Sequence, residues 1–516
     1  MNKFKILLIT ILALIVASII TLFVLLIYYE RKLEVIVPVA VTTVLIDTGF
    51  AIYIMNSKRH AYTKACWLFS IVFLLLAGCL LFVIFGSMPM DRQDWKTRRT
   101  NQAQFNKFEN YEYSEIFFAK SANRIQTLSY TYRNEHKPIY QNNKIELIDS
   151  NTMLLAETIR LIRVAKEFIH CNTYIIRDSV FFRIFTAELI KKAKSGVKVR
   201  FLYDWLGEFR RTKKNQIMEL KRNGIEVAAF NPPGFNVFKG ATNYRLHSKA
   251  LIVDNKYAIY GGSNISDEYL AIDPKNHYWS DRNFIIEGEI VNSINISFID
   301  YWINFTDYTT SPNQKQALMN DLHKYLKIHK IATQTEMQFC TSTPNYLEKG
   351  IESVIASMII RAKKTIKLVT PYFIPSELCA SALNIAANSG INIQIITSSK
   401  PDNKKYILDV NRSQYLKFMN EHCQIYEYNG FIHSKYLIID DEYVLITTAN
   451  FDYRSFWNNF ESGILVHGKE FSQKMIQNFN DELCNSSLIT IKQVKEFLTF
   501  MVRLKLIIIS LYKPLL

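Results

Sequence analysis

Four blocks of residues occur twice in this chain, in the same order and close to two hundred positions apart. The first copy reads AKEFIHCNTYIIRD from Ala165, KKAKSGVKVRFLYD from Lys191, EVAAFNP from Glu226 and LHSKALIVD from Leu246. The second reads AKKTIKLVTPYFIPSE from Ala362, NIAANSGINIQII from Asn384, QIYEYNG from Gln424 and IHSKYLIID from Ile432. In each copy an apolar, β-rich run alternates with an amphipathic stretch that ends at a glycine. The pattern predicts helices over 182–195 and 377–389, stopped at Gly196 and Gly390, with strands following in VKVRFLYD and INIQIIT. Alternating strands and helices require an α/β fold with a mixed or parallel sheet. Duplication makes this two like α/β domains, expected over 145–325 and 326–516 and related by a pseudo-twofold axis.

The last block opens a longer motif, His247-x-Lys249-x4-Asp254-x6-Gly261-Gly262-Ser263-Asn264. It returns as His433-x-Lys435-x4-Asp440-x6-Thr447-Thr448-Ala449-Asn450, within segments 242–269 and 428–455. A lone HxK in a strand usually carries no chemistry, but two full copies inside a duplicated fold favour catalysis over mere phosphate binding. Residues two apart on a strand share a face. A hairpin with the two-residue loop Asn255-Lys256 or Asp441-Glu442 sets His247 opposite Asn264 and His433 opposite Asn450. Lys249 then faces Gly262, and Lys435 faces Thr448. Each half presents an imidazole, an ammonium and an amide, with a small residue leaving space for a phosphate.

The catalytic candidates are therefore His247, Lys249, Asp254, His433, Lys435 and Asp440, with Asn264, Asn450, Thr448 and Ser263 as phosphate-binding candidates. Asp254 and Asp440 complete the motif, yet strand parity puts them off the catalytic face, where they are expected to hold the turn or a neighbouring lysine. Glu268 and Glu461 are the candidates for orienting a histidine. The chemistry suits a phosphodiester. Lysines and amides stabilise its oxygens, one neutral imidazole attacks phosphorus, and a second, protonated one gives a proton to the leaving alkoxide. Neither a metal nor a cofactor is expected.

Lys+Arg 62 against Asp+Glu 46 gives a formal charge of +16, which suits an anionic partner, nucleic acid or acidic lipid. Cys66, Cys79, Cys171, Cys340, Cys379, Cys423 and Cys484 form no CxxC pair and no zinc-ligand spacing, which argues against a disulfide scaffold or a zinc site.

Three apolar runs precede the duplicated region, at about 6–29, 35–55 and 65–86, and make 1–90 a membrane anchor by the rule of roughly 20 residues per crossing. A cleaved signal does not fit the first, whose long core runs into Tyr28, Tyr29, Glu30 and Arg31. The second run contains Pro38 and Asp47, and a mid-membrane carboxylate costs about 2.5–3.5 kcal/mol. The third run is clean. Flanking basic residues are nearly balanced, so orientation is not set by them. Residues 91–144 are polar and aromatic and read as a linker.

Paired HxKx4D motifs are the mark of the phospholipase D superfamily, which this chain resembles. More closely it resembles the bacterial cardiolipin synthases. The likeness runs through IIRD at Ile175–Asp178, FNP at Phe230–Pro232, NYRLHSK at Asn243–Lys249 and GGSNISDEY at Gly261–Tyr269. It continues in TPYFIP at Thr370–Pro375, GFIHSK at Gly430–Lys435, NFDYRSFWNNFE at Asn450–Glu461 and the terminal PLL at Pro514–Leu516. The resemblance implies a multi-pass cell-membrane protein that transfers a phosphatidyl group between two phosphatidylglycerol molecules and releases glycerol. It implies His247 as nucleophile and His433 as acid, then base. Its partners would be phosphatidylglycerol, other anionic lipids and the membrane, not nucleic acid.

A hydrolytic or head-group-exchanging phospholipase D would use the same histidines with another acceptor. The apolar runs weigh against a nuclease, and intact motifs in both halves weigh against a non-catalytic scaffold. Two departures stand out: Thr447 replaces the usual glycine, where a positive φ would strain a β-branched residue, and the run at 6–29 is an extra span. The closing segment VRLKLIIISLYKPLL, from Val502, is expected to pack on the core rather than lie on the membrane.

Overall fold

The computed structural model describes residues 33–57, 59, 61–86, 92–120, 126–208, 214–232, 244–272, 279–306, 310–333, 335–344, 350–402 and 405–510. The apolar run at 6–29 and the terminal Pro514–Leu516 lie outside them. The described residues fall into two compact units, the N-terminal helices up to Gly86 and the rest of the chain.

In the first unit, Leu33–Asn56 is one continuous helix despite Pro38 and Asp47, and its Val37–Asn56 portion is long and apolar enough to cross a membrane. Val41, Val44, Leu45 and Ile52 are exposed along it. The clean third run, expected as a single span over 65–86, is broken. Leu75 takes φ 49°, separating helices Ala61–Leu74 and Leu76–Phe85. These fold back on each other, with Trp67 against Phe82 at 5.2 Å and Gly78 close enough to Ser70 that a Cβ would meet its carbonyl oxygen. At 1.5 Å per residue they reach only about 21 and 15 Å, short of the ~30 Å hydrocarbon core.

The second unit is α/β and carries the duplication in its strand order. One sheet runs Asn143–Leu147, Asn283–Gly288, Tyr257–Gly261, Ala250–Val253, Phe168–Thr173, Lys198–Asp204, Glu226–Phe230. The other repeats it as Glu336–Ser342, Asn459–His467, Tyr443–Thr447, Tyr436–Ile439, Thr365–Val369, Asn392–Ser398, Cys423–Tyr428, with an added strand at each edge. In both, the last three strands are parallel and the others antiparallel, so each sheet is mixed. Helices Val180–Lys194 and Glu377–Asn388 are capped by Ser179 and Ser376 and end before Gly196 and Gly390, whose φ values of 90° and 84° suit only glycine.

Each sheet has its own hydrophobic core, and one buried helix touches both sheets. That helix, Ile290–Asn304, has every residue but the last buried. The stretch expected as a linker is also built in. Ile139–Tyr140 pairs with Glu336–Ser342 of the second sheet, while Asn143–Leu147 pairs with Asn283–Gly288 of the first.

Candidate active site

Each HxK motif enters a hairpin whose register is shifted by one residue from the expected one. The last pairs are Val253 with Tyr257 and Ile439 with Tyr443, so three residues, not two, fill each turn. Asp254 and Asn255, like Asp440 and Asp441, adopt φ of 52–58°, a conformation Asp and Asn tolerate. The aspartates explain the longer turn. Asp254 accepts the backbone N–H groups of Lys166, Glu167 and Phe168 at 2.7–2.8 Å. Asp440 accepts those of Lys363, Lys364 and Thr365 at 2.7–3.1 Å. Both carboxylates fasten the hairpin to the start of the neighbouring strand, at the end away from the histidines.

The shift separates His247 from Asn264. The Asn264 side chain accepts from Ile175 N at 3.0 Å and donates to the Tyr269 hydroxyl at 2.7 Å, and Tyr269 in turn stands edge-on to the His433 ring at 5.2 Å. Lys435 is met across the hairpin by Thr447 rather than by Thr448. The Thr447 N–H donates to the Lys435 carbonyl at 3.1 Å. Its φ is not positive, so no strain follows. Space comes from an exchange across the strands: Gly261 pairs with Asn283 in the first half, Thr447 with Gly463 in the second.

The approach to each histidine is completed by the other half. Arg245–Leu246 pairs in parallel with Asn459–Phe460, and the His247 N–H donates to the Phe460 carbonyl at 2.9 Å. Phe431–Ile432 pairs in parallel with Trp279–Ser280, and the His433 N–H donates to the Ser280 carbonyl at 2.6 Å. Those partner strands carry the acids. Glu461 oxygens lie 2.8 and 2.9 Å from His247 Nδ1, and Asp281 Oδ2 lies 2.7 Å from His433 Nδ1.

Glu461 thus contacts the histidine of the opposite half, as an orienting residue would. Glu268 does not reach a histidine and instead ion-pairs with Arg177. Asp281, the residue sequence reasoning missed, takes the place assigned to it. The available signal was an acid two residues ahead of the NFII or GILV run that follows each hairpin, Asp281 just before strand Asn283–Gly288 and Glu461 near the start of strand Asn459–His467.

Two phosphate-binding candidates serve these acids. Thr448 donates to Glu461 at 2.6 Å and Ser263 to Asp281 at 3.1 Å. Asn450 differs: its buried Oδ1 has no hydrogen-bond partner.

Burial drives the electrostatics. It pushes His247 down to about 4, against the pull of Glu461, and His433 down to about 3, with Lys435 adding to the push. Both imidazoles are therefore neutral at pH 7. Burial also works against Glu461 and Asp281, but the neighbouring imidazole and lysines hold both below the usual carboxylate range. An ionised carboxylate only accepts, so Glu461 places the hydrogen on His247 Nδ1 and leaves Nε2 its lone pair. His433 Nδ1 meets both Asp281 Oδ2 at 2.7 Å and Lys435 Nζ at 2.9 Å, and the shorter contact to the carboxylate favours the same tautomer there.

Lys249 and Lys435 are 4% and 5% exposed. Burial lowers them to about 7 and about 8, and Lys249 also feels Lys435. Each donates to the backbone carbonyl of its own histidine, and among the described residues neither forms a salt bridge. Glu461 and Asp281 pull against that burial at both lysines without pairing directly with either, which makes the two ammonium groups candidates for holding an anion. Each histidine also feels the lysine of the other motif, so the two motifs form one site. Among the described residues, no three His, Cys, Asp or Glu side chains converge as metal ligands.

Residues 158–298 and 355–483, which contain both motifs, match the family described as cardiolipin synthase, PLD-like domain. The chain belongs to this family.

Among its relatives are a cardiolipin synthase of Halalkalibacterium halodurans, 29% identical over 461 residues that cover 89% of each chain, and cardiolipin synthase 2 of Bacillus anthracis, 30% identical over 85% of this chain and 84% of that one. A phosphatidylserine synthase of Haemophilus influenzae has the same fold, with a TM-score of 0.57 at 17% identity over 76% of this chain and 100% of that one. In this member of the cardiolipin synthase family, the site is assembled only when the two PLD-like halves meet, because each histidine takes its carboxylate from the other half.

Proposed function

We propose that this chain joins two phosphatidylglycerol molecules into cardiolipin and glycerol at the shared two-histidine site. The observation that carries this reading is the buried pair Lys249 and Lys435, without salt-bridge partners among the described residues, beside two imidazoles with bare Nε2 atoms. The phosphodiester sits between the lysines, with the Asn450 amide as a further contact. Its negative charge raises the nearby imidazole and brings a proton onto His433 Nε2.

His247 Nε2 then attacks phosphorus. The N–P bond forms as the P–O bond to glycerol breaks, and His433 gives its proton to the leaving oxygen. A second phosphatidylglycerol loses its head-group hydroxyl proton to His433. Its oxygen displaces His247 from phosphorus, and both histidines return to their starting state. Asp254 and Asp440 act by holding the hairpins, and Glu461 and Asp281 by fixing the imidazole tautomers. Relatives named as cardiolipin synthases over most of the chain support the transferase over a hydrolase.

The same reading makes residues 1–90 a multi-pass anchor and 145–325 and 326–516 the two catalytic halves, with 91–144 joining anchor to core. The test is reconstitution of the full chain in phosphatidylglycerol vesicles without divalent metal, with products identified by mass. Cardiolipin and glycerol are expected from the parent and neither from His247→Ala or His433→Ala. Phosphatidic acid alone would make water the acceptor and replace the transferase with a hydrolase.

A further inference from the structure

We propose that the C-terminal helix Phe500–Ser510 is an interfacial helix that holds the mouth of the second half's site against an anionic lipid surface. The helix is apolar on two faces. Leu506 and Ile509 pack inward with Ile374, Ile407, Val410 and Tyr453. On the outside, Phe500, Met501 and Leu504 are 78%, 69% and 45% exposed. Apolar helix faces are ordinarily buried, so this helix lacks a cover on its outer face.

Charge selects the cover. At 100° per residue, Arg503 and Lys505 fall on the two borders between the inner and outer faces and both are exposed. Lys505 is ion-paired with Asp409, so that among the described residues Arg503 supplies the uncompensated charge. Lys492 and Lys495 are exposed on the preceding helix Ile491–Phe497. An apolar stripe with basic borders fits headgroups and upper acyl chains of acidic lipid, with the cations at phosphate level.

Position gives the contact its use. The inner face rests on Ile374, whose strand Phe373–Ile374 pairs with Phe451–Asp452, directly after Asn450. Tyr372 next to it stands 6.2 Å from Phe431, whose ring is 5.9 Å from His433. Lipid held by the outer face is thereby held beside the site. This assignment of a use rests on the lipid-transfer reading above; the surface itself does not.

The test uses the full chain reconstituted in phosphatidylglycerol vesicles containing brominated phosphatidylcholine. A Phe500→Trp variant is read by its emission relative to the parent. At least twofold quenching of the added emission by bromolipid is expected. Emission blind to bromolipid but quenched by aqueous iodide overturns the proposal. This readout needs no turnover, so it decides the lipid contact even if the parent makes no cardiolipin.

A second arm replaces Phe500, Met501 and Leu504 together by Ser. Turnover of bilayer phosphatidylglycerol is expected to fall about five- to tenfold, with turnover of a monomeric short-chain phosphatidylglycerol unchanged. Equal losses on both substrates would assign the helix to folding alone and overturn the proposal.

Discussion

His247 and His433 each take their carboxylate partner from the opposite side of the chain duplication, and that exchange governs what single substitutions do. Glu461→Gln and Asp281→Asn keep the shape of each contact but remove the acceptor-only partner that fixes the Nδ1 hydrogen. The neutral amides let the imidazole turn or change tautomer, so kcat is expected to fall about 10²–10⁴-fold with KM little changed. Initial rates of cardiolipin formation measure this, and a change confined to KM would refute the tautomer argument. The lysines set the pH profile. Lys249 and Lys435, lowered to about 7 and about 8, are charged below those values and lose their protons as pH rises through them. kcat/KM is therefore expected to decline from about pH 7 upward. Lys249→Arg keeps its charge at high pH, so its alkaline limb should begin later, whatever its absolute rate. A limb that stays in place would mean that another group titrates.

Strands and turns decide how much of this was readable in advance. The helices over 182–195 and 377–389 and the strands after them follow from local periodicity and glycine stops, which the sequence displays directly. The hairpin register does not, because turn length depended on Asp254 and Asp440 reaching backbone N–H groups more than seventy residues upstream. A parity argument that assumed a two-residue loop placed Asn264 and Asn450 across from the histidines for that reason. Asp281 escaped notice because its partner belongs to the other half, a contact that no local pattern reports. The break at Leu75 interrupts a run whose hydropathy is continuous. The hairpin fasteners have a measurable weight. Asp254→Ala or Asp440→Ala removes the acceptor of three backbone N–H groups and is expected to cost about 2–4 kcal/mol. Asp254→Asn tolerates the positive φ and keeps an acceptor, so it should lose less. Denaturant unfolding of the variants checks the order, and equal stability of Ala and wild-type chains would show that the turns hold themselves.

At the scale of the whole catalytic unit, the halves are bound by more than a shared site. Each sends a short strand to the other. Ser248 meets Ser462 at 2.8 Å, and the buried helix Ile290–Asn304 contacts both sheets. Ile139–Tyr140 and Asn143–Leu147 stitch one sheet to the other through a single stretch of chain. Separating the halves would expose the pairing edges of strands together with Glu461, Asp281 and both lysines, groups whose burial is tolerated only in company. The two halves are therefore expected to unfold together. Ile252→Ala tests this, because Ile252 is fully buried in the first sheet and its truncation should cost about 2–5 kcal/mol. Hydrogen exchange measured by mass on peptides from Thr365–Val369, in the core of the second sheet, should accelerate by the same free energy as peptides from Phe168–Thr173 in the first. Acceleration confined to the first-sheet peptides would mean that the halves open independently, and that the strand exchange holds the site without coupling the folds.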